Sequence, residues 1–482
     1  MYDKLIFEIS SDGKTGFSLP ELDVPVCDIK KSVPQNLLQE DEIKLPEVSE
    51  PEIVRHFVNL SKKNYSVDGG FYPLGSCTMK YNPKINDKVA SYPGFSNLHP
   101  YTPEELSQGA LRMMYELERM LCEIGGLTRV TLQPAAGAHG ELCGTMIIMA
   151  HFHGREEKRN EIIIPDSAHG TNPSSAALVG MKVKTVMSNS KGEVNLEDLA
   201  RLVSEKTTAL MLTNPNTLGI FESQILKISD IIHKKGGLLY LDGANLNALL
   251  GITRPGDMGF DLVHFNLHKS FSTPHGCGGP GAGPLGVKEF LKEYLPVPTV
   301  EKKGESYYFD WDRKKSIGKI HGFYGNFAVL VRAYAYIKTL GARGLREVSE
   351  TAILNANYLK KKLNDYYDVP FDKFCMHEFV VSGRRQKMKG VRTLDIAKRI
   401  MDYGFHPPTI YFHLIVDEAL MIEPTETESV ETLDKFANVL INIAEEVEKT
   451  PEIVREAPLT VGIARLDEVT AARKPDVRYR KQ

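Results

Sequence analysis

Between residues 129 and 265, short apolar runs alternate with amphipathic ones, and this constrains the fold more than any other feature of the chain. The apolar runs at 129–132, 161–164, 182–187, 208–213, 237–241 and 261–265 read as strands. The segments 139–151, 172–179, 196–204 and 225–235 read as helices. Parallel strands need a long crossover between them, and a helix is its usual form. The alternation therefore predicts an α/β domain with a mostly parallel sheet covered on both faces. A further helix is expected over 103–124, stopped by Gly125 and Gly126.

The two ends of the chain read differently. Residues 1–100 are rich in Pro, Asp, Glu and Ser and lack periodic runs. We expect an extended arm with short helices, wrapped on the body of the protein or on a neighbouring subunit. Beyond about 330, long helical patterns at 327–340, 344–363 and 430–448 flank strand-like runs at 379–382, 409–412 and 419–422. The expected division is an arm (1–100), a large α/β domain (101–330) and a smaller α+β C-terminal domain (331–482).

Composition excludes more than it assigns. A net charge of −3 gives no general pull toward nucleic acid or membrane. The basic stretch 472–482 reads as a solvated tail, and a nucleic-acid role would rest on it alone. Six cysteines without a CxxC pair suggest neither a zinc site nor a disulfide framework. His151 and His153 are two apart on a helix, so their rings diverge rather than chelate. No run of about 20 apolar residues could span a bilayer, and the N-terminus lacks the apolar core of a secretory signal. The cytoplasm is the expected location.

Lys269 carries the chemistry. It follows the apolar run 261–265, with His268 before it and five glycines within 276–283 behind it. A lysine at a strand end is an amine held still, and glycines let backbone approach a bulky ligand. That arrangement suits a Schiff-base lysine for pyridoxal phosphate, although the run alone does not demand it.

Four other motifs sit at strand ends, the edge where open α/β sheets bind ligands. Asp242, 27 residues before Lys269, could pair with a pyridine nitrogen and keep it protonated, or could simply cap a following helix. Ala136, Gly137 and Ala138 expose backbone N–H groups at a helix start, which suits a phosphate. His139 follows as a flat ring able to stack on a pyridine face; a tight turn would look the same. His169 lies on a loop of small polar residues, where it could serve catalysis or simply be solvated. Asn214 could reach the cofactor's 3′ oxygen, and is also good turn chemistry. In the arm, Ser76 and Thr78 lie in a polar segment, 72–80, that could close a site.

Together these segments, with 402–408 and the 421–426 stretch containing Glu423 and Glu426, resemble glycine decarboxylase, the P-protein family of the glycine cleavage system. The resemblance runs from residue 72 to beyond 420. It is to the second half of that protein, the half that carries the cofactor lysine. It implies the aspartate-aminotransferase fold, fold type I of the pyridoxal-phosphate-dependent transferases. It implies that Lys269 is the Schiff-base lysine, Asp242 the pyridinium partner and His139 the stacking ring. Ala136, Gly137 and Ala138 fall on the phosphate turn, and Ala244, Asn214, His268 and Thr78 complete the expected cofactor contacts. Ala136 stands where some relatives carry Ser, so backbone donors, or Gly278 and Gly279 of a neighbouring subunit, would matter more. The resemblance also implies a first-half partner subunit in an α2β2 assembly, and a lipoylated H-protein as acceptor.

The implied reaction is that of an aminomethyl-transferring glycine dehydrogenase. Glycine loses CO2 and its aminomethyl group passes to the lipoyl arm, with His169 or Lys269 moving the proton. Three competitors stand beside it. An aminotransferase would turn over with a keto acid and no lipoyl carrier. A cysteine desulfurase would need a mobile cysteine, for which Cys277 is the candidate. A non-catalytic structural subunit would be free to lose Lys269 and Asp242, and this chain has both.

Overall fold

The computed structural model describes residues 4–39, 44–274, 281–462 and 464–478. The chain divides into two compact units, one ending at Gly69 and one beginning at Gly70. The first unit holds short helical pieces and one longer helix, Glu50–Ser61. That helix starts at Ser49, where the Glu52 carboxylate reaches back to the Ser49 N–H at 2.9 Å and closes a capping box.

The second unit contains a seven-stranded sheet. Its strands are β1 (Arg129–Thr131), β2 (Glu161–Pro165), β3 (Lys182–Val186), β4 (Thr207–Thr213), β5 (Leu238–Gly243), β6 (Leu262–Phe265) and β7 (Leu285–Val287), in the order β1-β7-β6-β5-β4-β2-β3. Strands β3, β2, β4, β5 and β6 run parallel, whereas β7 is antiparallel to both β6 and β1. The apolar alternation predicts the six strands other than β7 to within a residue or two.

The crossover helices are α2 (Gly137–His153), α3 (Thr171–Leu178), α4 (Leu196–Leu202) and α5 (Ile225–Lys234), after a first long helix α1 (Gln108–Gly125). All seven residues of β4 and all six of β5 are buried, as central strands covered on both faces must be. Alternate side chains serve opposite faces. Leu210, Leu212, Leu239 and Leu241 pack with Leu117, Leu121, Ile228 and Ile232 on one side. Ala209, Met211, Leu238 and Tyr240 pack with Ile147, Ile148 and Phe152 on the other. Burying each large aliphatic side chain contributes about 2 kcal/mol, so this double layer fixes the sheet edge that carries the polar residues.

Short helix α6 (Leu267–Ser270) follows β6, and a hairpin of β8 (Thr299–Lys303) and β9 (Ser306–Asp310) follows β7. The next helix, α7, runs Phe327–Leu363 and is broken at Gly341, whose φ of 62° and ψ of −174° are not helical. The sequence pattern predicts two helices here, 327–340 and 344–363, and the break falls between them. As far as Val348, beyond the break, the side chains of α7 join the core of the large sheet; from Ala356 onward they join another. That second core lies against the antiparallel sheet β10-β12-β11, built from β10 (Phe379–Ser382), β11 (Thr409–Ile410) and β12 (Ala419–Ile422), with helices α8 (Thr393–Asp402) and α9 (Val430–Lys449). Among the described residues, no helix is long and apolar enough to cross a membrane.

Candidate active site

Asp242 ends β5 and pairs in register with His264 of β6, so the two side chains are neighbours by the geometry of the parallel ladder. Asp242 is 4% exposed and His264 fully buried. The Asp242 Oδ1 atom lies 3.1 Å from His264 Nε2 and accepts the Ala244 N–H at 3.0 Å. Its Oδ2 accepts the Asn172 amide at 2.9 Å. Burial opposes ionisation, but the His264 charge and these donors outweigh it and hold the Asp242 pKa far below the usual carboxylate range. Burial likewise opposes charge on His264, and the Asp242 carboxylate overcomes it, raising that pKa. The far ring nitrogen, Nδ1, is 3.0 Å from the Tyr240 hydroxyl. No regular helix starts at Asp242, so the capping alternative falls away; the carboxylate does accept a local N–H, from Ala244.

The Lys269 amine donates to the Ser76 carbonyl at 2.6 Å. That carbonyl is aimed by a turn in which Ser76 and Thr78 both have positive φ, 62° and 26°. The turn is fastened from the small sheet. Leu74 bridges Ile422 of β12, and a Cβ on Gly75 would stand 2.1 Å from Met421 Cγ, so only glycine fits. The Ser76 N–H donates to Glu378 at 2.7 Å, and the Thr78 N–H to Glu423 at 3.0 Å. Lys80 ion-pairs with Glu426 at 2.7 Å and donates to Asn247 at 2.8 Å, deep inside the protein. Tyr72 stacks on His406, with ring centroids 3.8 Å apart. The 72–80, 402–408 and 421–426 segments, far apart in sequence, thus converge.

The other expected site residues are placed as follows. Ala136 caps α2 without a side-chain hydrogen bond, and the first N–H groups of that helix have no partner within it. A Cβ on Gly137 would meet Asn266 Oδ1 at 2.6 Å. His139 Nδ1 accepts the Ala135 N–H at 3.1 Å, and its ring lies 6.2 Å from that of His321 at an angle of 25°. Burial, then His321, lowers its pKa, which favours a flat neutral ring. The Asn214 side-chain oxygen accepts the Glu222 N–H at 2.9 Å, while its amide nitrogen is buried with no partner among the described residues. His268 Nδ1 accepts the Ala282 N–H at 3.3 Å. His169 is exposed; it lies 2.9 Å from the Thr171 hydroxyl and meets Phe412 edge-on. Thr78 is 2% exposed, and its hydroxyl already contacts Glu423 and Asn245. Gly276, Cys277, Gly278 and Gly279 lie outside the described residues.

Sequence reasoning leaves several side chains at the site unassigned: Asn172, His264, Glu141, Asn245, Glu378 and Glu423. A signal existed for His264, a polar residue in an otherwise apolar strand. Glu141 accepts from the hydroxyls of Thr171 and Ser175. Nothing in local spacing marks Glu378.

These residues fit pyridoxal phosphate. Asp242 is a buried anion for a ring nitrogen, the partnerless Asn214 amide is a donor for a ring oxygen, and Lys269 is an amine one strand away. The α2 N-terminus offers N–H groups for a phosphate.

The sequence matches the family described as glycine cleavage system P-protein over residues 25–301, and that described as the glycine dehydrogenase C-terminal domain over 348–458. It is 60% identical over 481 residues to a probable glycine dehydrogenase (decarboxylating) subunit 2 of Caldanaerobacter subterraneus subsp. tengcongensis, covering 100% of this chain and 99% of that one. A protein of the same name from Halalkalibacterium halodurans is 60% identical over 478 residues, covering 99% and 98%. Among solved structures, an inhibitor-bound glycine decarboxylase (P-protein) superposes with a TM-score of 0.74 at 21% identity, over 86% of this chain and 94% of that one. A cysteine desulfurase from Escherichia coli gives 0.60 at 15%, over 83% and 99%. At those identities the structural likeness speaks for the fold, which is fold type I of the pyridoxal-phosphate enzymes as expected.

Proposed function

The chain belongs to the P-protein family of the glycine cleavage system, and on that premise we propose that it is the cofactor-binding second subunit of a two-subunit glycine dehydrogenase (decarboxylating). One observation carries the reading. Asp242 stands near the end of β5 and Lys269 on the short helix α6 that follows the adjacent β6, the acid held anionic and the amine held by the Ser76 carbonyl. Lys269 would tether the cofactor, Asp242 would pair with its ring nitrogen, and Asn214 would face its ring oxygen. The ring of His139 would cover one face, and the Ala136, Gly137 and Ala138 turn would take the phosphate. When bound, pyridoxal phosphate supplies an electron-accepting ring for the pair left behind as CO2 departs.

The chain's own residues do the rest. Asp242, anchored by Asn172 and Ala244, keeps negative charge where positive charge must persist. Glycine has no side chain, so selectivity comes from a small closed pocket rather than a specific contact. In the overall transfer a C–C bond breaks, a C–S bond forms to the lipoyl arm and the S–S bond opens. The leaving sulfur takes a proton, and Lys269 is the amine placed to give it; His169 is the second candidate. The names of the relatives imply a separate first subunit. We further propose an α2β2 assembly, transfer to a lipoylated H-protein and a cytoplasmic location. The division at about 330 remains our proposal, supported by the separate core that α7 joins from Ala356 onward.

The test is spectroscopic. Purified protein should be yellow, and Lys269→Ala should lose the visible band and the exchange of labelled bicarbonate into glycine. Full exchange by Lys269→Ala would refute the assignment.

A further inference from the structure

Glu378 and Glu423 are fully buried beneath the turn that carries Ser76, and their carboxylates and the His377 ring bring titratable atoms within 4.8 Å of one another. The hydrogen count around Glu423 does not close with a carboxylate. Thr78 Oγ1 is 2.7 Å from Glu423 Oε1 and 2.9 Å from Asn245 Oδ1, and Asn245 Nδ2 is 3.1 Å from Glu423 Oε2. A hydroxyl has one proton to donate. If Thr78 gives it to Asn245, then Glu423 Oε1 faces an oxygen with nothing between them. If it gives it to Glu423, then two oxygens meet at Asn245. Turning the Asn245 amide over moves the mismatch to Glu423 Oε2 and does not remove it. One further proton, on Glu423, closes the ring. Its OH donates to Thr78, Thr78 donates to Asn245, and the Asn245 amide and the Thr78 N–H both donate to the remaining Glu423 oxygen.

We propose that Glu423 is a positioning residue that works in its protonated form, closing a ring with Thr78 and Asn245 that fixes the turn presenting the Ser76 carbonyl to the Lys269 amine. This rests on Lys269 being the cofactor amine.

The surroundings agree. Burial raises the Glu423 pKa to about 7, against the pull of Thr78, Asn245 and Lys269. Burial and then Glu423 itself push Glu378 well above the usual range. The charged or titratable groups facing the ring are Lys269 after β6, and Lys80 with its partner Glu426. Glu378 and His377 complete the set at the start of β10. Burial, then Lys269 and Lys80, drives His377 down to about 3, so it is neutral and lends Glu423 no positive charge. Glu423 Oε2 and Glu378 Oε2 already take fixed protein donors, and Glu423 Oε1 lies against the Thr78 hydroxyl, which argues for a proton rather than a metal ion.

The test uses cofactor-stripped full-length protein and follows the visible band that appears on adding pyridoxal phosphate, from pH 6 to 9. Glu423→Gln, like the protonated acid, presents one donor group and one acceptor oxygen at every pH, with one hydrogen more on the donor. Its rate relative to wild type should be near one at pH 6 and rise to about tenfold or more at pH 9, where a group titrating near 7 has lost its proton. Glu423→Ala should be slow throughout. Should Glu423→Ala fail to fold, the infrared band of a protonated carboxyl gives a second measurement. Subtracting the Glu423→Gln spectrum from that of wild type at pH 6 should leave that band, because the raised Glu378 contributes to both spectra. A ratio flat across the range, or an infrared difference without that band, would overturn the proposal. Lys269→Ala should give no visible band at all; a band there would sink the lysine assignment instead, leaving the two failures distinct.

Discussion

The two walls of this site bury carboxylates to a similar depth and leave them in opposite states. At the ends of β5 and β6, Asp242 meets a histidine that can carry charge, plus an amide and a backbone N–H, and it stays ionised. On the other wall, Glu423 also takes an amide and a backbone N–H, from Asn245 and Thr78, but it and Glu378 meet each other and a neutral His377, and their pKa values rise. Desolvation is common to both walls. What differs is the titratable neighbour, a histidine that can carry positive charge beside Asp242 and a second carboxylate beside Glu423. One wall therefore offers a fixed anion to a cationic ring, and the other a neutral hydrogen-bonded brace for a lysine.

The comparison breaks most sharply at Asp242. Asp242→Asn keeps the shape and removes the charge. Glycine–bicarbonate exchange should fall roughly 100- to 1,000-fold, the usual cost of removing one preorganised electrostatic group. The His264 ring should lose its reason to stay protonated, which its NMR titration would show as a lowered pKa. Activity within a few-fold of wild type would mean that the anion at the end of β5 does not serve the ring nitrogen.

The walls should also separate by pH. Asp242 is depressed in the folded state, so its contribution is present above its ordinary value of 3.8 and is lost as pH falls through its folded value. Glu423 is raised, so its contribution is complete below 4.5 and is lost as pH rises through about 7. Between those last two values Asp242 is silent. Stability of the cofactor-free protein should then decline with rising pH by up to about 3 kcal/mol from Glu423, since each tenfold change in proton affinity on folding is worth about 1.4 kcal/mol. Urea midpoints of wild type and Glu423→Gln at pH 5 and pH 8 measure this, because the contributions of Glu378 and His377 are common to both proteins. A wild-type midpoint that does not fall relative to that of Glu423→Gln between pH 5 and pH 8 would contradict the state assigned to Glu423.

The Asp242 wall was far more legible in the sequence than its counterpart. Asp242 and Lys269 each follow an apolar run, and a buried parallel strand imposes that pattern locally, so strand ends and their polar residues could be read together. Glu378 directly precedes β10 and Glu423 directly follows β12 of the small sheet, roughly 300 residues or more from the Ser76 and Thr78 groups they bind. No local period encodes such a contact. Glu423 is marked in the sequence only through a resemblance, and Thr78 is expected there to touch the cofactor, whereas its hydroxyl is occupied by Glu423 and Asn245. Strands β7, β8 and β9 escape for a different reason. β7 has three residues, and β8 ends in Glu301, Lys302 and Lys303, half in solvent, without an apolar stripe to betray it.

The smallest expected effect isolates how His264 is held. The Tyr240 hydroxyl lies 3.0 Å from His264 Nδ1 and 3.3 Å from the Gly140 carbonyl. With His264 protonated by its pairing to Asp242, Nδ1 carries a hydrogen and the hydroxyl accepts it, freeing the phenol proton for Gly140. Tyr240→Phe removes both bonds without opening a cavity. It should cost about 1 kcal/mol per lost bond in urea unfolding. It should also lower the His264 pKa, since an acceptor for the charged ring has gone, while Asp242 stays anionic through Asn172 and Ala244. Exchange activity should fall only several-fold. A loss as deep as that of Asp242→Asn would show that the histidine, and not the amide donors, maintains the anion; an unmoved His264 titration would show that Tyr240 serves Gly140 alone.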